Sequence, residues 1–124
     1  MTKKVLVVED DVLNCLFIAD GLRLRGYEVC EVIDGAKVMD AASQFAPDLI
    51  TMDINIPNIT GDLLIRDLKS DTRFSNAPVL AITAYSSHDD EARIRSAGAD
   101  DYMTKPFTLN SLLDTVENLI GASG

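Results

Sequence analysis

Five short segments rich in apolar residues are spaced along the chain, and each is too short to form a buried helix. The segments at 5–8, 49–52 and 79–82 are nearly continuous apolar runs with polar or turn-forming residues on either side, a pattern typical of strands buried on both faces of a sheet. The segment at 28–32 alternates apolar and polar residues, and the segment at 101–103 is shorter. The pattern therefore predicts five strands.

Segments with helical periodicity separate the predicted strands. Apolar residues recur in them at intervals of three and four, which favours helices. The predicted helices cover 11–25, 36–45, 62–69, 89–97 and 109–120. Gly26 and Gly98 suit the C-terminal ends of helices, and Thr108 suits the N-cap of the last one. The chain thus alternates strand and helix five times.

This alternation predicts the fold class. Parallel neighbours need a crossover connection, so repeated strand–helix units favour a parallel sheet with helices on both faces. A chain of 124 residues suits a single core. We expect one doubly wound α/β domain over residues 1–124, with no output domain.

Composition indicates the cellular environment and disfavours some classes of binding partner. The net charge of −9 disfavours electrostatic binding to nucleic acid or to an anionic membrane. The sequence contains no apolar run of membrane-spanning length, and Cys15 and Cys30 lack the spacing of a zinc or redox site. We expect a cytoplasmic protein with reduced cysteines that acts through other proteins.

Residues able to bind a metal or react follow four of the predicted strands. They are Glu9, Asp10 and Asp11 after the first strand, Asp53 after the third, Thr83 after the fourth and Lys105 after the fifth. In open parallel sheets, ligands bind beyond the carboxyl ends of the strands. Clustered carboxylates need a counter-charge, and oxygen ligands without His or Cys suit Mg²⁺. Beside such an ion, Asp53 can act as a nucleophile towards a phosphoryl group.

Each of these residues also has a purely structural interpretation. The acids at 9–11 can favour the positive end of the first helix, and Asp53 can be a turn residue. Thr83 can cap a helix, and Lys105 can be an ordinary ion-pair partner. Because all of them fall at the carboxyl ends of strands, a shared site is the better interpretation.

The same residues carry a resemblance that spans almost the whole chain. Val-Leu-Val-Val-Glu9-Asp10-Asp11, Met52-Asp53-Ile-Asn-Ile-Pro57 with Gly61, Thr83-Ala84 and Lys105-Pro106 resemble the motifs of response-regulator receiver domains of two-component systems. The segment at 2–14 further resembles single-domain cell-division regulators of the DivK type. The resemblance implies a flavodoxin-like, five-stranded sheet in the order 2-1-3-4-5 with five helices.

The resemblance implies a magnesium site and a phosphoacceptor. Asp53 would be phosphorylated and would also bind the metal. Asp10 would be the main metal carboxylate, supported by Glu9, and the backbone carbonyl of Asn55 would be a further ligand. The implied cofactor is Mg²⁺.

It also implies phosphoryl contacts and a conformational switch. Thr83 and Lys105 would contact the phosphoryl oxygens, and the bond before Pro106 would be cis. Tyr102 would turn inward when Thr83 moves towards the phosphoryl group; alternatively, it is a tyrosine half-buried at the sheet edge.

Asn55, Tyr85 and His88 are three further polar residues with a predicted role or location. Asn55 and Tyr85 occupy positions that the resemblance links to the rate of hydrolysis of the acyl phosphate. His88 is the single histidine, and we expect it to lie on the surface, because the donor histidine would belong to a histidine kinase or a histidine phosphotransfer protein.

The first predicted helix is apolar on more than one face. Leu13, Phe17 and Leu24 follow one stripe that Ile18 and Leu22 extend, while a second stripe consists of Val12, Cys15, Leu16 and Ala19. We expect the second stripe to dock the helical bundle of the kinase or phosphotransfer protein. Alternatively, it packs under the last helix.

Together these features predict a single-domain response regulator in a phosphorelay. It would be a switch rather than an enzyme, a monomer or weak dimer that signals by binding a downstream protein. A phosphorylation-independent pseudo-receiver scaffold is the alternative. An aspartyl-nucleophile phosphatase is less well supported, because such an enzyme would carry a second acid two residues after its nucleophile, where this chain has Asn55.

Overall fold

The computed structural model describes residues 2–54, 61–84 and 88–122. In these residues, five strands alternate with five helices. The strands are β1 (Lys4–Val8), β2 (Glu28–Val32), β3 (Leu49–Asp53), β4 (Val79–Thr83) and β5 (Asp101–Thr104). The helices are α1 (Val12–Leu24), α2 (Val38–Phe45), α3 (Gly61–Ser70), α4 (His88–Ala97) and α5 (Leu109–Ile120).

The sheet has the predicted order β2-β1-β3-β4-β5, and its neighbouring strands are all parallel. Alternate strand residues point into two apolar layers. One layer packs β-strand residues such as Leu6, Ile50 and Ala81 against α2, α3 and α4. The other packs Val5, Leu49 and related residues against α1 and α5. This arrangement confirms the doubly wound α/β class.

Most predicted element boundaries agree with the structure within one or two residues. The exception is the second predicted helix, since its first residues form a separate 3₁₀ turn at Gly35–Lys37 before α2 begins. The Asp34 side chain accepts a hydrogen bond from the Ala36 N–H, and this cap starts the tighter turn. The predicted helix at 36–45 is therefore a 3₁₀ turn followed by a helix.

The predicted helix ends are confirmed. Gly26 and Gly98 have φ values of 90° and 120°, in the range that favours glycine. Thr108 caps α5, and its side chain accepts a hydrogen bond from the Ser111 N–H. Over the described part of the chain, no helix is both long and apolar enough to cross a membrane.

The buried face of α1 differs from the prediction. Cys15 and Ala19 are 1% and 0% exposed, so their assignment to the docking stripe is wrong, and Cys15 packs in the same cluster as Leu112 of α5. Val12 and Leu16, the other two residues of that stripe, are 53% and 41% exposed.

The other apolar stripe of α1 is only partly buried. Leu13, Phe17 and Leu24 are 77%, 49% and 86% exposed, whereas Ile18 and Leu22, which extend the same stripe, are 1% and 0% exposed. Apolar residues surround α1, so periodicity alone does not determine which arc meets the sheet. The exposed apolar face of α1 consists of Val12, Leu13, Leu16, Phe17 and Leu24.

Candidate functional site

The parallel register brings the predicted site residues to one edge of the sheet. The Ile54 N–H, directly after Asp53, donates to the Ile82 carbonyl at 2.9 Å. The Lys105 N–H donates to the Thr83 carbonyl at 2.8 Å. These ladder contacts fix the ends of β3, β4 and β5 side by side, as parallel pairing predicts.

Three of the predicted acids form a carboxylate cluster. One oxygen from each of Glu9, Asp10 and Asp53 lies within 4.8 Å of the others. Glu9 and Asp53 are 1% and 3% exposed. Hard oxygen ligands at this spacing suit a divalent cation such as Mg²⁺, which neutralises charges that otherwise repel.

Asp11 has a different role from its two neighbours. Its side chain accepts hydrogen bonds from the backbone N–H groups of Leu13 at 2.9 Å and Asn14 at 3.2 Å, which makes it the N-cap of α1. The structural interpretation of the acidic triplet therefore holds for Asp11, while Glu9 and Asp10 join the carboxylate cluster.

Lys105 supplies a positive charge to the cluster. Its Nζ lies 3.4 Å from Glu9 Oε2 and 3.4 Å from Asp53 Oδ2. Burial by itself lowers the pKa of Lys105, but the neighbouring charges of Asp53 and Glu9 outweigh it and raise the pKa above its usual 10.5. The ammonium group therefore stays protonated beside the two carboxylates.

Glu9 is the carboxyl group most affected by this environment. Burial, followed by the hydrogen bond and negative charge of Asp53, raises the pKa of Glu9 from 4.5 to about 8, against the opposing effect of Lys105. Two adjacent buried carboxylates with one lysine carry excess negative charge. The cluster therefore gains stability from a bound proton or metal cation.

Thr83 and Tyr102 lie on the neighbouring strands β4 and β5. Thr83 is fully buried at the end of β4. It lies five positions before the first residue of α4, so it is not the N-cap of that helix. Tyr102 on β5 is half-buried and packs against the core. Burial, then the charges of Glu91 and Asp90, raise the pKa of Tyr102.

The remaining predicted residues are placed as follows. The Lys105–Pro106 peptide bond is cis, as expected. The backbone of His88 begins α4. Asn55 and Tyr85 lie outside the described residues, so the predictions for both stay predictions.

Sequence reasoning missed an apolar cavity beside the carboxylate cluster. It measures about 380 Å³ and is lined by Glu9, Asn14, Phe17, Lys105, Pro106 and Phe107. Phe17 belongs to the exposed face of α1, and Phe107 packs against the core formed with α5. An aromatic residue directly after the Lys-Pro pair was the available signal, but only the tertiary structure brings it to α1.

Comparison with known proteins agrees with this geometry. Residues 5–117 match the family described as response regulator receiver domain, and the chain belongs to that family.

Curated relatives show which members of the receiver family the chain is similar to. It is 36% identical over 121 residues to the polar-differentiation response regulator DivK of Brucella ovis, covering 98% of both chains. DivK of Brucella anthropi matches equally, at 36% over 121 residues and 98% of both chains. The chain is thus a homologue of DivK.

Solved structures show the same fold. The chemotaxis protein CheY4 of Vibrio cholerae superposes with a TM-score of 0.91 at 27% identity, covering 96% of this chain and 99% of that one. The receiver domain of the sensor histidine kinase PA1611 from Pseudomonas aeruginosa PAO1 gives 0.87 at 30% identity, covering 98% and 100%. That neighbour has a magnesium ion coordinated in its active-site cleft.

Proposed function

We propose that this protein is a response regulator of a phosphorelay, which accepts a phosphoryl group on Asp53 and signals by binding other proteins. The observation that carries the proposal is the cluster of Glu9, Asp10 and Asp53, in which Glu9 and Asp53 are buried and lie 3.4 Å from Lys105. Receiver-family membership supports it.

The donor set fits Mg²⁺. Glu9, Asp10 and Asp53 would supply carboxylate oxygens, and we infer the Asn55 backbone carbonyl as a further ligand. A bound Mg²⁺ would neutralise charge on the transferring phosphoryl group. The magnesium in the cleft of the PA1611 receiver domain supports this choice of ion.

The transfer itself needs an in-line displacement at phosphorus. One Asp53 carboxylate oxygen forms the new P–O bond, while the P–N bond to the donor's phosphohistidine breaks and the imidazole leaves with the electron pair. Lys105 Nζ already lies near Asp53 Oδ2, where its charge would stabilise the phosphoryl oxygens, and Thr83 would donate a hydrogen bond to them. Asp53 thereby becomes an aspartyl phosphate.

The donor is proposed to be a histidine kinase or a histidine phosphotransfer protein. The exposed face of α1 begins directly after the acidic segment and borders the cavity that contains Phe17 and Phe107. Exposed apolar residues beside a reactive site favour a protein partner, and a helical bundle presents a complementary apolar stripe. The downstream target would contact the surface around Tyr102, α4 and α5.

The test is the intact mass of the protein after incubation with acetyl phosphate and Mg²⁺. We expect a phosphoryl adduct in the wild type, none after Asp53→Asn, and none when EDTA removes the metal. Beryllofluoride should likewise bind to the protein only when Asp53 is present and Mg²⁺ is bound. If neither adduct nor capture forms, and a partner kinase also fails to phosphorylate the chain, the pseudo-receiver scaffold replaces this proposal.

A further inference from the structure

Charged side chains hold α4 to the domain on both of its flanks. Among its described residues, Ile94 and Ala97 are the buried apolar side chains, at 0% and 5% exposure. On one flank Arg93 pairs with Asp62 of α3, and on the other Arg95 pairs with Asp101 of β5. These ion pairs supplement a small apolar anchor on the two flanks of the helix.

The flank formed by α3 is connected to the candidate phosphoacceptor. Ile54 follows Asp53 directly and is 6% exposed. A Cβ atom added at Gly61, the first residue of α3, would lie 2.7 Å from Ile54 Cα. The start of α3 therefore packs on the backbone next to Asp53 without space between them, and close-packed segments transmit strain to each other.

Asp62 continues this connection to α4. Its side chain is 14% exposed, and its Oδ1 is shielded from solvent without a hydrogen bond among the described residues. Arg93 Nη1 lies 3.3 Å from that oxygen. A buried carboxylate oxygen is costly unless an opposite charge stays nearby, so Asp62 constrains where Arg93, and with it α4, can lie.

Arg93 also has a second partner on its own helix. Its Nη2 lies 3.6 Å from Asp90 Oδ1, and its side chain is 42% exposed. If α4 shifts away from α3, Arg93 keeps Asp90 and solvent but loses Asp62. The pair with Asp62 therefore distinguishes the observed position of α4 from one shifted away from α3.

We propose that the Asp62–Arg93 ion pair couples the segment around Asp53 to α4, so that a change at Asp53 moves α4 through α3. This connection is separate from the switch through Thr83 and Tyr102 that the resemblance implies. It deepens the proposed function, on which it rests, by assigning a regulatory contact to the same site.

The test compares amide NMR spectra with and without beryllofluoride and Mg²⁺. In the wild type, we expect shifts at Ile54 and at 94–97 in α4. Asp62→Asn and Arg93→Gln should each reduce the α4 shifts at least twofold while the Ile54 shift stays unchanged. Glu91→Gln is the matched control, because it removes one carboxylate that pairs with Arg95 within α4 and should leave both responses unchanged.

The outcomes separate this inference from the proposed function. A wild type that shows no Ile54 response would overturn the proposed function itself. A normal Ile54 response with undiminished α4 shifts in both variants would overturn the coupling alone. If Asp62→Asn fails to fold, the exposed Arg93 still permits Arg93→Gln and Arg93→Lys, and the lysine variant should retain more of the α4 response.

Discussion

At the residue scale, the main electrostatic feature is the pair of buried carboxylates of Glu9 and Asp53. Lys105 contacts both at 3.4 Å but supplies one positive charge for two negative ones. The raised pKa of Glu9, about 8, follows from burial and then from this imbalance. Stability without metal should therefore depend on pH.

The sign of that dependence follows from proton binding. Between pH 4.5 and about 8, folded Glu9 keeps a proton that the unfolded chain releases, so the free energy of unfolding falls as pH rises. Lys105 contributes nothing to the slope there, because its pKa is raised from 10.5. In EDTA, urea titrations should show a loss of at least about 1 kcal/mol between pH 5 and pH 8.

Substitution of Glu9 tests whether this residue causes the pH dependence of the free energy of unfolding. Glu9→Gln should flatten the pH profile, whereas Glu28→Gln, at an exposed position on β2, should keep the wild-type slope. An unchanged slope in Glu9→Gln would assign the titration to another residue.

Thr51 is a second polar residue in a buried position. It lies in β3 at 1% exposure, and its hydroxyl has no hydrogen-bond partner among the described residues. Thr51→Val removes the unsatisfied group while keeping the shape, so we expect the free energy of unfolding to rise by about 1 kcal/mol. Urea denaturation measures this directly.

Thr115→Val provides the comparison for Thr51. The Thr115 hydroxyl donates to the Ser111 carbonyl at 2.8 Å, so its removal should bring no gain in stability. Equal gains in both variants would point to a general effect of valine and contradict the explanation given for Thr51.

At the element scale, substitutions on α1 test whether its exposed apolar face docks the phosphotransfer protein. Leu16 is 41% exposed near the acidic pocket, and Leu24 is 86% exposed farther along the helix. The eight positions between them correspond to about 12 Å. Leu16→Glu should slow transfer from a phosphotransfer protein by about tenfold, because burying one leucine contributes on the order of 1.5–3 kcal/mol.

Leu24→Glu introduces the same charge at the distant end and should change the transfer rate less than about twofold, a difference of under about 0.5 kcal/mol. Circular dichroism checks that both variants fold, and acetyl phosphate labelling checks that Asp53 remains reactive. Equal losses of transfer in both variants would mean that docking extends along the whole helix or that charge alone is responsible.

Elements also differ in how far local sequence predicted them. The bounds of β2 and α5 agree with the prediction because alternation and the Thr108 cap are local signals. The 3₁₀ turn at Gly35–Lys37 escaped prediction, since the same residues fit an α-helical period and the Asp34 cap selects the tighter turn.

At the scale of the whole molecule, the acidic cluster should link metal binding to folding. A ligand at about 100 times its Kd adds about 2.7 kcal/mol to the free energy of unfolding, which for a domain of this size raises Tm by roughly 10 °C. Mg²⁺ should produce this shift in thermal unfolding of the wild type and lose most of it after Asp10→Asn.

Asp11→Asn is the matched control for the metal experiment. It removes a neighbouring carboxylate that caps α1, and asparagine caps helices about as well as aspartate. The Mg²⁺-dependent rise in Tm should therefore persist in Asp11→Asn. Its loss there would show that Asp11 contributes to the site after all.

The sequence by itself determined the strand and helix order, the parallel sheet and the set of polar residues at its carboxyl edge. Those features follow from local periodicity and from the geometry shared by parallel strands. The resemblance already implied Asp10 as a metal carboxylate, but only the tertiary structure separated Asp11 from it as the cap of α1, because adjacent acids have the same local pattern. The tertiary structure also decided which face of α1 is exposed and paired Asp62 with Arg93, since such contacts join residues far apart in the chain, and local periodicity carries no information about them.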